Sequence, residues 1–99
     1  MLTDAEQYAL LAKYAKGKVS RSYSYDNGDF EFKTDKQGTV LLRNGENILL
    51  PYQQGKVSWS YSYDNGDFAL KTEKQGTVNV TYKQWLEDQA KLKEKKDVN

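Results

Sequence analysis

The chain contains one segment twice. Gly17–Val40 and Gly55–Val78 align at a constant offset of 38 and differ only at Arg21/Trp59, Glu31/Ala69, Phe32/Leu70 and Asp35/Glu73. Leu11/Leu49 and Tyr14/Tyr52 extend the match upstream, and it fails downstream of Val78. At 99 residues the chain has room for one domain, and half of it is too small to bury a core alone. It contains no cysteine and no histidine, so neither a disulfide nor a Cys/His zinc site can staple a half. The copies must stabilise each other, and two units are too few for an open solenoid. The sequence therefore predicts a single α+β domain over residues 1–99. In it, two three-stranded antiparallel meanders, 17–40 and 55–78, close with pseudo-twofold symmetry around one shared core.

Strand periodicity supplies the meanders. In KVSRSYSY, Val19, Arg21, Tyr23 and Tyr25 alternate with Ser20, Ser22 and Ser24, giving a bulky face and a serine face. Asn27-Gly28 then reads as a two-residue type I′ turn. That turn would set Tyr25 opposite Phe30, Tyr23 opposite Phe32 and Arg21 opposite Thr34, with the aromatic side buried. A three-residue loop Lys36-Gln37-Gly38 would return the third strand and bring Val40 and Leu42 to the same buried face. The second copy repeats the scheme with Tyr61, Tyr63, Phe68, Leu70, Val78 and Val80. The serine face, Ser20, Ser22, Ser24, Ser58, Ser60 and Ser62 with Leu41 beside it, is left as a solvated surface, a helix-covered one or a docking surface.

Helices are expected at both ends. Thr3 and Glu6 form a capping box before a stripe of Ala5, Tyr8, Leu11, Ala12 and Ala15, predicting a helix over about 4–16. Thr81 and Gln84 repeat the signature ahead of Tyr82, Trp85, Leu86 and Ala90, predicting a helix over about 82–95. Between the copies, RNGENILLPYQQG allows two readings. Asn44-Gly45 can turn a hairpin with a strand at Ile48–Leu50, or Pro51 can open one helical turn that ends at Gly55. The second reading is preferred because it matches the alignment with the first helix.

The functional signal is weaker than the structural one. Without histidine or cysteine the commonest general base and the thiol nucleophile are missing, and no phosphate-binding loop is present. The two DNGD turns offer too few oxygens to wrap a cation, so neither a metal nor another cofactor is expected. Each copy sums to zero formal charge, which argues against a nucleic-acid partner. No apolar run reaches the roughly 20 residues of a membrane span, and the N-terminus does not read as a secretory signal; a cytoplasmic protein is expected. The positions where the copies diverge are the candidates for recognition, because a duplicated scaffold needs asymmetry to meet an asymmetric partner. Arg21 and Trp59 are residue types enriched at binding hot spots, and Arg43, Glu46 and Tyr52 lie in the divergent linker. The expected function is a non-enzymatic protein-binding module of the inhibitor or adaptor type, engaging a larger protein. Phages and mobile elements encode many proteins of this size that block a host defence or regulatory enzyme. A carbohydrate or cell-surface module using exposed Tyr and Trp is the alternative. Open sheet edges also leave a homodimer possible.

Overall fold

The computed structural model describes residues 2–97. Two helices flank seven strands: α1 (Asp4–Tyr14), β1 (Val19–Ser24), β2 (Phe30–Thr34), β3 (Gly38–Arg43), β4 (Glu46–Asn47), β5 (Val57–Ser62), β6 (Phe68–Thr72), β7 (Val78–Val80) and α2 (Tyr82–Asp97). The sheet is open and runs β1-β2-β3-β5-β6-β7, with β4 paired to β3. Every pairing is antiparallel except β3–β5, which meet through one parallel bridge between Gly38 and Val57. The class is α+β, as predicted, and each repeat supplies three consecutive strands.

The first turn of each repeat differs from the sequence reading. Asn27 does not take positive φ; among the described non-glycine residues only Asn44 does, at 53°. The Gly28 amide donates to the Tyr25 carbonyl, and the Tyr25 amide donates to the Asp29 carbonyl. The loop is therefore the three residues Asp26-Asn27-Gly28, with Gly28 alone at φ 97°. Asn27 Oδ1 accepts from the Asp29 amide 2.9 Å away, which holds the wider turn. One extra loop residue moves the pairing by one, so Ser22 lies opposite Phe32 and Tyr23 opposite Glu31. A one-residue slip reverses every side chain of a strand. Ser22 and Ser24 thus share the phenylalanine side, and Tyr23 points the other way. The same correction applies to β5, where Ser60 faces Leu70 and Tyr61 faces Ala69. Val40 and Leu42 do pair with Phe32 and Phe30, because the second turn, one position earlier than predicted at each end, preserves the alternation.

The type I′ hairpin occurs instead at Asn44-Gly45, where both residues have positive φ and Arg43 pairs with Glu46. The strand it returns is Glu46–Asn47 rather than Ile48–Leu50. A single helical turn follows, in which the Tyr52 and Gln53 amides both donate to the Leu49 carbonyl. The linker therefore combines parts of both readings. In α1 the capping box is present, but the packing stripe is Leu10, Leu11, Tyr14 and Ala15. Tyr8, expected inside, is 77% exposed.

The aromatic faces do not meet in one core, and the expected pseudo-twofold closure is not seen. Two apolar clusters form. Phe30, Phe32, Val40 and Leu42, the front of the first copy, pack under Leu2 and α1. Their counterparts Phe68, Leu70 and Val80 pack instead with Leu41 and Tyr25 of the first copy, and with Ile48, Leu49 and Trp85. Leu41 lies on the opposite face from Val40 and Leu42, so the front of the second copy rests on the back of the first. The helical turn at Leu49–Gln53 stands to the second copy as α1 stands to the first. Gln37 accepts from the Lys16 amide and donates to the Tyr14 carbonyl; Gln75 makes the same pair of bonds to Gln54 and Tyr52, 38 residues on.

Candidate functional site

The seam between the copies is polar at one side and explains the buried charges. β5 runs along the back of β2, where Ser58, Ser60 and Ser62 meet Lys33, Glu31 and Asp29 in turn. Lys33 Nζ donates to the Ser58 carbonyl at 3.3 Å, Ser60 Oγ to Glu31 Oε1 at 2.7 Å, and Ser62 Oγ to Asp29 Oδ2 at 2.6 Å. Glu31, 2% exposed, also accepts from the Tyr25 hydroxyl at 2.9 Å and from Arg21 Nη2 at 3.2 Å. Asn27 Nδ2 crosses the seam to Ser62 Oγ and the Tyr63 carbonyl. Each buried carboxylate is thus multiply hydrogen-bonded, the condition under which burial is tolerated. Burial and the neighbouring Glu31 carboxylate push the Tyr25 phenol far above its ordinary range. Burial similarly raises Tyr52, whose hydroxyl donates to Asp88 at 2.5 Å. That bond holds Asp88 below the usual carboxylate range, with help from Gln84.

The seam uses serines that the sequence left undecided. Ser60 and Ser62 are buried in it, whereas Ser22 remains exposed. It also accounts for one of the four repeat differences. Glu31 receives Ser60 of the second copy, while Ala69, its counterpart, is buried at 2% exposure with no third copy to supply a hydroxyl.

The exposed aromatics along β1, β5 and the turn after β5 form the candidate site. Tyr23 on β1 and Tyr61 on β5 are 54% and 50% exposed, Tyr63 45% and Trp59 39%. They make one row. Tyr23 packs edge-to-face on Tyr25 at 4.7 Å, Tyr25 on Tyr61 at 5.7 Å, and Tyr61 on Tyr63 at 4.8 Å. Tyr25 is the buried link, anchored by Glu31. Arg21 precedes Tyr23 by two residues on the same strand face, as Trp59 precedes Tyr61. Arg21-Tyr23 and Trp59-Tyr61 are thus equivalent positions of the two copies, and the row joins them through the tyrosines.

Of the residues singled out in the sequence, Arg21 and Trp59 belong to this ledge. Arg43 does not: it is 8% exposed and forms a bidentate pair with Asp29 through Nε and Nη2, the shortest contact being 2.7 Å. Its guanidinium also lies 4.8 Å from the Trp85 ring and 5.5 Å from Phe68. Tyr52 is half-buried against Phe68 at 5.8 Å. Glu46 is exposed on β4. The sequence reading missed Tyr23, Tyr61 and Tyr63 as surface residues, because it assigned them to the core. Comparisons with protein-family models, curated proteins and solved structures found no match. Among the described residues no helix is long and apolar enough to cross a membrane.

Proposed function

We propose that the chain is a non-enzymatic protein-binding module of the inhibitor or adaptor type, and that the ledge Arg21, Tyr23, Trp59, Tyr61 and Tyr63 is its contact surface. The observation that carries this reading is the row of three exposed tyrosines, Tyr23, Tyr61 and Tyr63, joined edge-to-face through the buried Tyr25 across the two repeats, with Trp59 exposed on the same strand as Tyr61. Tyrosine and tryptophan bring large contact areas with few rotatable bonds, and clustered exposed aromatics are characteristic of protein interfaces. The ledge is rigid before any partner arrives, which lowers the ordering cost of association. Trp59 in place of Arg21 adds an exposed apolar ring to the second copy's half of the ledge. This is the direction expected of a surface adapted to a partner.

The test is affinity capture from the native source with the wild-type chain and with a Trp59→Ala/Tyr61→Ala double variant, read by mass spectrometry. The expected result is a protein retained by the wild type and lost by the variant while the melting temperature holds. Capture that is identical for both chains contradicts the proposal.

A further inference from the structure

We propose that the free edge of β1 pairs antiparallel with the same edge of a second molecule of this chain, about a twofold axis at Ser22. The contact goes beyond the protein-binding reading and does not depend on it, because its hydrogen bonds lie in the plane of the sheet, beside the ledge rather than over it.

The open sheet ends in β1 on one side and β7 on the other. β7 is three residues long and is followed at once by α2; a short edge is a poor template for further pairing. β1 is six residues long, with four of them exposed, and it contains no proline. Its one irregularity lies between Val19 and Arg21, which leaves Arg21–Ser24 in regular register with β2. In the second repeat the equivalent strand, β5, has β3 beside it at Val57, whereas β1 pairs with β2 alone. A free strand edge of this length invites strand addition.

The turn fixes which backbone groups face outward. The Tyr25 amide donates to the Asp29 carbonyl, so Tyr25 directs its backbone toward β2. That direction alternates along a strand. Tyr23 and Arg21 therefore also bond to β2, opposite Glu31 and Lys33, and Ser22 and Ser24 turn N–H and C=O to the free side. Two β1 strands set antiparallel with Ser22 opposite Ser22 bring those outward groups together. The same register places Arg21 opposite Tyr23 of the other molecule, twice, at the non-hydrogen-bonded positions where side chains come closest. The Arg21 side chain is 60% exposed and Tyr23 54%, so a guanidinium can lie on a tyrosine ring on each side of the axis. Placing Arg21 on the axis instead would set two like charges face to face. A net charge of +1 leaves little long-range repulsion between two molecules.

An edge contact is smaller than the interface of a tight dimer, so the test is sedimentation equilibrium of the full chain at concentrations up to about 1 mM. The mean mass should rise toward twice that of the chain. Ser22→Pro removes the outward N–H on the axis and no bond to β2; it should keep the chain monomeric with an unchanged melt at low concentration. The chain has no cysteine, so single cysteines report the register even if the proline variant fails to fold. In the paired edge the two Ser22 Cα atoms stand about 5.5 Å apart, within disulfide reach, and Ser22→Cys should oxidise to a covalent dimer. The two Ser20 positions fall about 14 Å apart, and Ser20→Cys should not. Trp59→Ala/Tyr61→Ala should leave the association unchanged. A chain that stays monomeric at the highest concentration, a folded Ser22→Pro variant that still dimerises, equal cross-linking of the two cysteine variants, or a dimer lost in Trp59→Ala/Tyr61→Ala would each overturn the proposal.

Discussion

At the scale of single residues, sequence-identical positions do different work in the two copies. Asn27 and Asn65 close the same turn by accepting from the Asp29 and Asp67 amides. Asn27 also spans the seam to Ser62 and Tyr63, whereas the Asn65 amide group reaches only Asp67, within its own turn, at 3.3 Å. Asn27→Ala should therefore cost about 1–2 kcal/mol more than Asn65→Ala in chemical denaturation, at about 1 kcal/mol per net hydrogen bond; equal costs would argue against the bridging role. The same register explains what sequence reasoning lost. Asn-Gly admits both a two-residue and a three-residue loop, and the choice inverts β1. Tyrosine inward was the natural guess from polarity alone, but Ser60 and Ser62 are held inside by carboxylates 2.7 and 2.6 Å away, and no local pattern announces that. The tyrosines also set a pH dependence. Tyr25 and Tyr52 have folded pKa values raised above the ordinary phenol value of about 10. Their contribution to stability is complete below that value and is lost as pH rises through the folded pKa. A phenolate absorbance titration followed alongside circular dichroism should show both ionising only as the chain unfolds. Tyr25→Phe and Tyr52→Phe should remove this late class. Ionisation of all eight tyrosines near the ordinary value in a folded chain would contradict it.

At the scale of elements, the seam depends on two close approaches. β5 crosses β3 at Gly38, where a Cβ would stand 2.9 Å from the Val57 carbonyl oxygen, a contact that backbone cannot relieve cheaply. Gly76, its counterpart, has nothing within 4 Å, since no third copy crosses there. The second approach is the Asp29–Arg43 pair, which ties β3 to the turn before β2 and, through Ser62, to β5. Arg43→Ala strands Asp29 in the interior and should cost about 3–5 kcal/mol. Double-mutant coupling with Asp29→Ala should recover much of that, because removing both charges leaves none unpaired; additive losses would mean that the pair is not what holds the seam. The helices, the β2–β3 face of Val40 and Leu42, and the existence of three strands per repeat were legible in the sequence, because capping boxes, glycines and alternation act locally. Arg43 was read as a contact residue. Nothing in RNGENILL indicates that its partner is Asp29, fourteen residues away, since that pairing exists only once β2 and β3 are aligned.

At the scale of the whole molecule, the duplication produces a front-to-back stack with unlike ends. α1 covers one end, and the other presents Trp59 and Tyr61. Of the four differences between copies, Glu31/Ala69 is the signal that could have revealed the order of stacking, because a carboxylate retained in one copy and lost in the other marks the face that receives the serines. Arg21 and Trp59 were found by the same comparison, and for the ledge that was enough to locate its rim but not the tyrosines between. The central claim is that equivalent residues occupy inequivalent places. It is tested most directly by Ser22→Ala and Ser60→Ala, compared by chemical denaturation. Ser22 is exposed, and its change should fall within about 0.5 kcal/mol of wild type. Ser60 is 6% exposed and bonded to Glu31, so its loss should cost about 1.5–3 kcal/mol, the range for a hydrogen bond to a charged group. Equal effects at the two positions would contradict the front-to-back stack.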